Sequence, residues 1–176
     1  NELAQYSQFL KRIPNAPQLN VDDLDRLTFQ SAEKAAVASK PRIDKMEQYL
    51  QQYPTGNYAA NAQYYIGRYH YERGALNEAL AYLDAALDAG QDAAFAEDAL
   101  SIKSAILSQQ GKRAEAIETY KRLTEKSSSD DNKIVAQLGI LRNSLELGRW
   151  NDVITTADIL LQNPNLTAAE SSEVCL

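Results

Sequence analysis

Few side chains in this sequence could do covalent or metal chemistry, and their spacing keeps them apart. His70 is the sole histidine and Cys175 the sole cysteine. A histidine-bound metal or a nucleophile–histidine pair would have to use His70. No cysteine lies near it in sequence, and Tyr69 and Tyr71 flank it. A lone histidine in that setting reads as a packed side chain rather than a catalyst. Paired carboxylates such as Asp22 with Asp23 and Asp130 with Asp131 fall in acidic helix starts or loops. There they favour the helix dipole, with no sign of a pocket that would split their pKa values. Gly111-Lys112 lacks the upstream glycine and the following Ser or Thr of a phosphate-binding loop. Asn165-Leu166-Thr167 has the form of a glycosylation sequon, a pattern common by chance. The expectation is a protein that is not an enzyme and carries no metal and no cofactor.

Binding chemistry is better represented. Six of the ten tyrosines fall between residues 58 and 82, so this stretch is where a sticky surface is sought first. Tyr65, Tyr69 and Tyr82 are expected to fill gaps between helices. Tyr64, Arg68 and Tyr71 are spaced i, i+4, i+7 and share one helix face. Aromatic and arginine side chains offer large contact area at limited entropy cost, which suits them as interface anchors.

The elements that would position these residues follow from a repeat. Gly74, Gly111 and Gly148 stand 37 residues apart. Leu80, Ile117 and Ile154 keep that interval, as do Leu83, Tyr120 and Ala157, and Ala86, Leu123 and Leu160. A period of this size marks stacked copies of one supersecondary unit. Ile43, Met46 and Tyr49 extend the ladder backwards, and Leu3, Tyr6, Phe9, Leu10 and Ile13 extend it again at an interval of 40. Five amphipathic helices result, at 2–13, 42–53, 76–89, 113–126 and 150–162, with partner helices at 20–38, 57–73, 94–110 and 133–147. The glycines close three partner helices in the left-handed conformation. Pro14, Pro54 and Pro164 follow helices, and Pro41 is expected to open one. The polar stretch 126–133 reads as a longer loop, and the tail after Pro164 as the start of a further helix. The fold expected is all-α: a right-handed α-solenoid of antiparallel helix pairs with a period of about 37 residues. It forms a single body over 1–176, an internal fragment of a longer repeat protein that begins and ends within a repeat.

Composition bounds the function. Of 176 residues, 44% are apolar and 24% charged, enough for a continuous core and unlike a disordered chain. A net charge of −6 argues against general affinity for nucleic acid. Lys112, Arg113, Lys121, Arg122 and Lys126 are interleaved with Glu115, Glu118 and Glu125, the pattern of a solvated helix face with i,i+4 pairs. Five acidic residues and no basic one lie between Asp84 and Asp98, a solubilising surface or, alternatively, a docking patch for a basic partner. No apolar run approaches transmembrane length, so no direct membrane span is expected.

The residues around Gly74 resemble a tetratricopeptide repeat. Ile66-Gly67 matches the family's Leu-Gly pair, Gly74 its turn glycine, Ala79 its small second-helix residue, and Leu83 and Ala86 its next core positions. The following copy keeps Ser104, Ala116, Tyr120 and Leu123 but has Lys103 at an apolar position. The copy around Gly148 keeps Val153 and Leu160 but has Leu141 where a small residue belongs. Gln63, His70 and Gln91 replace the family's tryptophan, tyrosine and closing proline. Residues 49–80 are similar to repeats of bacterial envelope tetratricopeptide proteins, of the outer-membrane assembly lipoprotein and Tol-Pal cell-division coordinator types. Tyr49, Tyr53, Pro54, Asn61, Ala62, Tyr64, Tyr65, Ile66 and Gly67 carry that likeness, and 9–17 begin a weaker version. The resemblance implies a scaffold that binds a protein or peptide, or other repeats of its own longer chain. It implies a periplasmic or outer-membrane-associated location, with a cytoplasmic adaptor or a helical-repeat small-molecule binder as alternatives. It places Asn61, Tyr64, Arg68, Tyr71 and Glu72 on a concave, partner-binding face. Asp98, Ser101, Ala105 and Ser108 would be the next repeat's equivalents, and Arg142 and Glu146 the last one's. The Lys/Asn clamp that chaperone-binding relatives use for C-terminal carboxylates is not reproduced.

Overall fold

The computed structural model describes residues 2–14, 20–90 and 93–175. Among them are ten helices and no strand: α1 (Glu2–Leu10), α2 (Val21–Ala36), α3 (Asp44–Gln52), α4 (Ala59–Glu72), α5 (Leu76–Ala89), α6 (Ala96–Gln109), α7 (Arg113–Lys126), α8 (Asp130–Glu146), α9 (Trp150–Leu161) and α10 (Ala168–Val174). Every helix expected from the apolar periodicity forms, and the tail after Pro164 supplies α10. Expectations on residues 15–17 and on Gln91 lie outside the described residues, as does the side chain of Leu3.

Two compact units divide the chain, Asn1–Gln91 and Asp92–Leu176. In the first, α2 packs on α3, α3 on α4 and α4 on α5, α2 also reaches α4, and α1 lies on α2. The second repeats this scheme from α6 to α10, with α6 also reaching α8. Alternate helices therefore meet as well as consecutive ones within each unit, so hairpins lie against hairpins.

All three glycine turns close in the same way. Gly74, Gly111 and Gly148 have φ of 74°, 71° and 66°. The N–H of Ala75 donates to His70 O at 3.0 Å, that of Lys112 to Leu107 O at 2.9 Å and that of Arg149 to Ser144 O at 2.9 Å. The glycine N–H groups donate to Tyr71, Ser108 and Leu145, three residues back. This pair of bonds is the Schellman closure, which satisfies two orphan carbonyls and reverses the chain.

Phe29, Ala32, Met46, Tyr49, Ala62 and Ile66 form the core of the first unit. Phe29 stacks on Tyr58 at 4.7 Å and meets Tyr49 edge-on at 5.6 Å. A carboxylate is set into this apolar cluster: Asp25 is only 3% exposed. It accepts from Tyr49 Oη at 2.5 Å and from the Asn57 N–H at 2.8 Å, and Tyr49 Oη accepts from the Tyr58 N–H at 3.2 Å. Asp25 thus ties α2 to α3 and to the loop that leads into α4. Gly56 fits against this knot, since a Cβ there would lie 2.6 Å from Tyr49 Oη and 2.9 Å from Asp25 Oδ1. Burial and the hydrogen bond to Asp25 both push the Tyr49 hydroxyl pKa up, so it stays a donor.

Close approaches fall partly where the repeat pattern expects them. A Cβ on Gly67 would come within 2.9 Å of Leu83, and Ala79 is fully buried, so α4 and α5 meet across small residues. In α8 the equivalent position is Leu141, which is buried with Ile134, Leu138 and Leu160. Gly139 makes the close approach instead, lying directly under the Tyr120 ring.

Four expectations need correction. Ile154, aligned with core positions, is 61% exposed; Val153, Ala157 and Leu160 face the core of the second unit instead. Those three are spaced i, i+4, i+7; Ala157 and Leu160 keep the ladder, and only Ile154 gives way, to its neighbour Val153. The stretch 126–133 is no long loop. Ser129 caps α8 by accepting from the Asn132 N–H at 3.4 Å, with Asp130 and Asp131 in the first turn, where the helix dipole favours acids. Among the described residues of that face, Tyr6, Phe9 and Ile13 are exposed and Leu10 is buried. Pro41 stands three residues before the first residue of α3 rather than opening it.

Gly74→Ala and Gly111→Ala should each lower the unfolding free energy by about 1–2 kcal/mol, the cost of a side chain in the left-handed region. Urea denaturation followed by circular dichroism measures it. Asp25→Ala should cost about 3 kcal/mol, because it strands the Tyr49 hydroxyl and the Asn57 N–H in the interior. Asp25→Asn, which keeps an acceptor oxygen, should cost less by the same measurement.

Candidate functional site

Ala62, Ile66 and Gly67 bury one side of α4, which fixes what its other residues present. Arg68 and Glu72 are exposed, and Asn61 and Tyr71 are half-buried. Tyr64, expected to stand out as an anchor, is buried at 7% exposure. Its ring lies 5.3 Å from that of Tyr65. Arg68 links these residues along the helix: Nη1 donates to Tyr64 Oη at 3.3 Å and Nε to Glu72 Oε1 at 3.1 Å. The Arg68–Glu72 pair is about half exposed, so it contributes at most about 1 kcal/mol to stability. It can therefore open at little cost.

A cleft of about 220 Å³ lies between the end of α2 and the last turns of α4. Ala36, Val37, Ala38 and Pro41 form one wall, and Tyr65, Arg68, Tyr69 and Glu72 the other. The α4 residues are spaced i, i+3, i+4, i+7, a single helical stripe. Val37 is exposed and gives the cleft an apolar lip. The Tyr65 hydroxyl donates to Glu33 Oε1 at 2.8 Å. Burial, and then this bond, push its pKa up to about 12, so it remains protonated. The Arg73 guanidinium lies 3.4 Å over the Tyr69 ring, a cation–π contact that fixes the ring.

Arg142 lies in the second unit, on α8. Its Nε and Nη2 donate to Glu173 Oε1 and Oε2 of α10 at 2.5 and 2.7 Å, a bidentate arrangement. The guanidinium holds the Glu173 carboxyl below its ordinary pKa, and Glu173 raises that of Arg142. Arg142 is thus engaged by the chain's own α10.

His70 packs as expected, stacked on Tyr82 at 5.7 Å with Tyr69 edge-on at 5.9 Å. Among the described residues no three or more His, Cys, Asp or Glu side chains are placed to hold a metal ion. No described helix is long and apolar enough to cross a membrane. In the mixed-charge face, Lys121 pairs with Glu118 at 3.2 Å and Arg113 with Glu146 at 3.4 Å. One member of the acidic stretch has a structural task. Glu97 accepts from Ser127 Oγ at 2.6 Å and Asn132 Nδ2 at 2.9 Å, bonds that lower its pKa.

Of the residues singled out on α4, the structure brings Arg68 and Glu72 into the cleft. Tyr65 and Tyr69, expected as filler, line it in place of Tyr64 and Tyr71. The two pairs are centred about 130° apart around the helix, and a run of tyrosines on both sides hides which is inward. Val37 and Pro41 were not legible at all, because they reach the cleft only through the packing of α2 on α4. Asp25 did carry a signal, since Asp25, Phe29 and Ala32 follow the i, i+4, i+7 spacing of a buried face.

No family model, curated protein or solved structure matches this chain.

Two carboxylates of α10 have lowered pKa values: Glu173 through Arg142, and Glu170 through the Thr167 hydroxyl and N–H of its capping box. A lowered folded-state pKa stabilises above the ordinary value of 4.5 and is lost as pH falls through the folded one. Acid titration below that value should therefore release α10 first, followed as loss of its helical chemical shifts by nuclear magnetic resonance (NMR) while α8 persists. Arg142→Gln should move the release to higher pH.

Proposed function

We propose that this protein is a non-catalytic scaffold that binds a protein or peptide segment in the α2–α4 cleft. The observation that carries the reading is the cleft wall itself. Tyr65 and Tyr69 form an aromatic floor beside Arg68 and Glu72, whose exposed pair can open to meet a partner, and Val37 offers an apolar contact. Rigid aromatic and arginine side chains with a wet rim are the usual ingredients of a binding hot spot. The repeated Schellman turns and the hairpin-on-hairpin packing within each unit support a right-handed tetratricopeptide-like solenoid of the 37-residue period. The likeness of residues 49–80 to bacterial envelope repeats supports a place in a periplasmic or outer-membrane-associated assembly; the alternative is a cytoplasmic adaptor. A small-molecule receptor is less well served, because about 220 Å³ falls short of the roughly 300–1,000 Å³ of ligand pockets.

A photo-crosslinking residue at Val37 in the native cell identifies the occupant, and cell fractionation places the complex. With the purified partner, Val37→Asp combined with Arg68→Glu should weaken affinity about tenfold or more while circular dichroism shows helicity retained. Unchanged affinity would remove the cleft from consideration. Tyr64→Ala is unsuitable for this purpose, because Tyr64 is buried and its loss would perturb packing.

A further inference from the structure

The second unit has a cleft of its own, about 280 Å³, between α7 and α9 with α8 at its base. Ile140, which is buried, and Ile159, which is exposed, give it an apolar surface. Glu125 of α7 and Asp152 of α9 also line it. Neither carboxylate makes an ion pair or side-chain hydrogen bond among the described residues. Lys121, the cation among the lining residues, is engaged by Glu118 at 3.2 Å. Gln137 contributes an enclosed Oε1 that accepts no hydrogen bond. The uncompensated groups are thus two carboxylates and an amide oxygen, all acceptors.

Local structure explains only one of these carboxylates. Asp152 is in the first turn of α9, where the helix dipole favours an anion. Glu125 is the penultimate residue of α7, where the dipole opposes one. Glu125 is exposed to solvent and stands against its helix dipole beside an apolar cleft, so a cation brought from outside would be favoured there.

We infer that the α7–α9 cleft receives a basic side chain, arginine or lysine, presented by a protein partner. The aliphatic stem lies on Ile140 and Ile159, and the charged head sits between Glu125 and Asp152. Long basic side chains divide themselves in this way between apolar surface and a polar edge. Charge complementarity selects this occupant: the cleft lacks an uncompensated cation for an acidic ligand, and the net charge of −6 speeds encounter with basic partners.

The test uses the full chain with isotope-labelled isoleucine methyl groups, titrated with the tripeptide acetyl-Ala-Arg-Ala-amide and followed by NMR. The arginine peptide should shift the Ile140 and Ile159 methyl signals saturably. The same peptide with citrulline, which keeps the shape and loses the charge, should bind about tenfold more weakly. Glu125→Gln with Asp152→Asn should weaken the arginine peptide by a similar factor. Signals that do not move, equal binding of the two peptides, or indifference to the double substitution would each overturn the inference. Val37→Asp with Arg68→Glu should leave this titration unchanged, which separates its outcome from that of the α2–α4 cleft.

Discussion

Three glycines in the left-handed region set the local plan of this protein. At Gly74, Gly111 and Gly148 the chain must reverse within two residues while two carbonyls of the preceding helix find donors. Only positive φ allows both, and only glycine adopts it without strain. The next helix then starts two residues after the glycine, which leaves no slack between the partners of a hairpin. In the α4–α5 hairpin that contact is resolved by small residues, Gly67 and Ala79.

The first unit adds a constraint of a different kind. Asp25 is buried as a hydrogen-bonded carboxylate among aromatic rings. Such a group is costly to bury unless its oxygens are satisfied. Tyr49 and the Asn57 N–H satisfy it, and in doing so they pin the loop before α4 to α2. That pinning places α4 beside the end of α2, and the cleft lined by Tyr65, Arg68, Tyr69 and Glu72 follows from it. A polar knot in the core thus governs a surface feature several turns away.

The two clefts differ in chemistry. In the α2–α4 cleft charges are paired and aromatic surface prevails, which suits recognition by shape and contact area. In the α7–α9 cleft carboxylates stand unpaired over aliphatic surface, which suits recognition by charge. Arg142, grouped with the first site by its place in the repeat, belongs to neither. Its guanidinium holds α10 through Glu173, and a residue so engaged serves the fold.

The sequence by itself determined the helices, their order and the points where the chain turns. These depend on local physics, namely 3.6-residue apolar periodicity, caps, proline stops and left-handed glycines, and all of that is written within a few neighbouring residues. It also singled out Arg68 and Glu72, which any exposed face of α4 would carry. Tertiary structure alone decided which tyrosines were inward, because Tyr64 and Tyr65 differ only by a 100° step that sequence spacing does not anchor. The same holds for Ile154 against Val153 in α9, where a one-residue rotation exchanges an exposed side chain for a core one. Both clefts needed packing as well, since Val37 and Tyr69, and likewise Glu125 and Asp152, line one cleft only when separate helices come together.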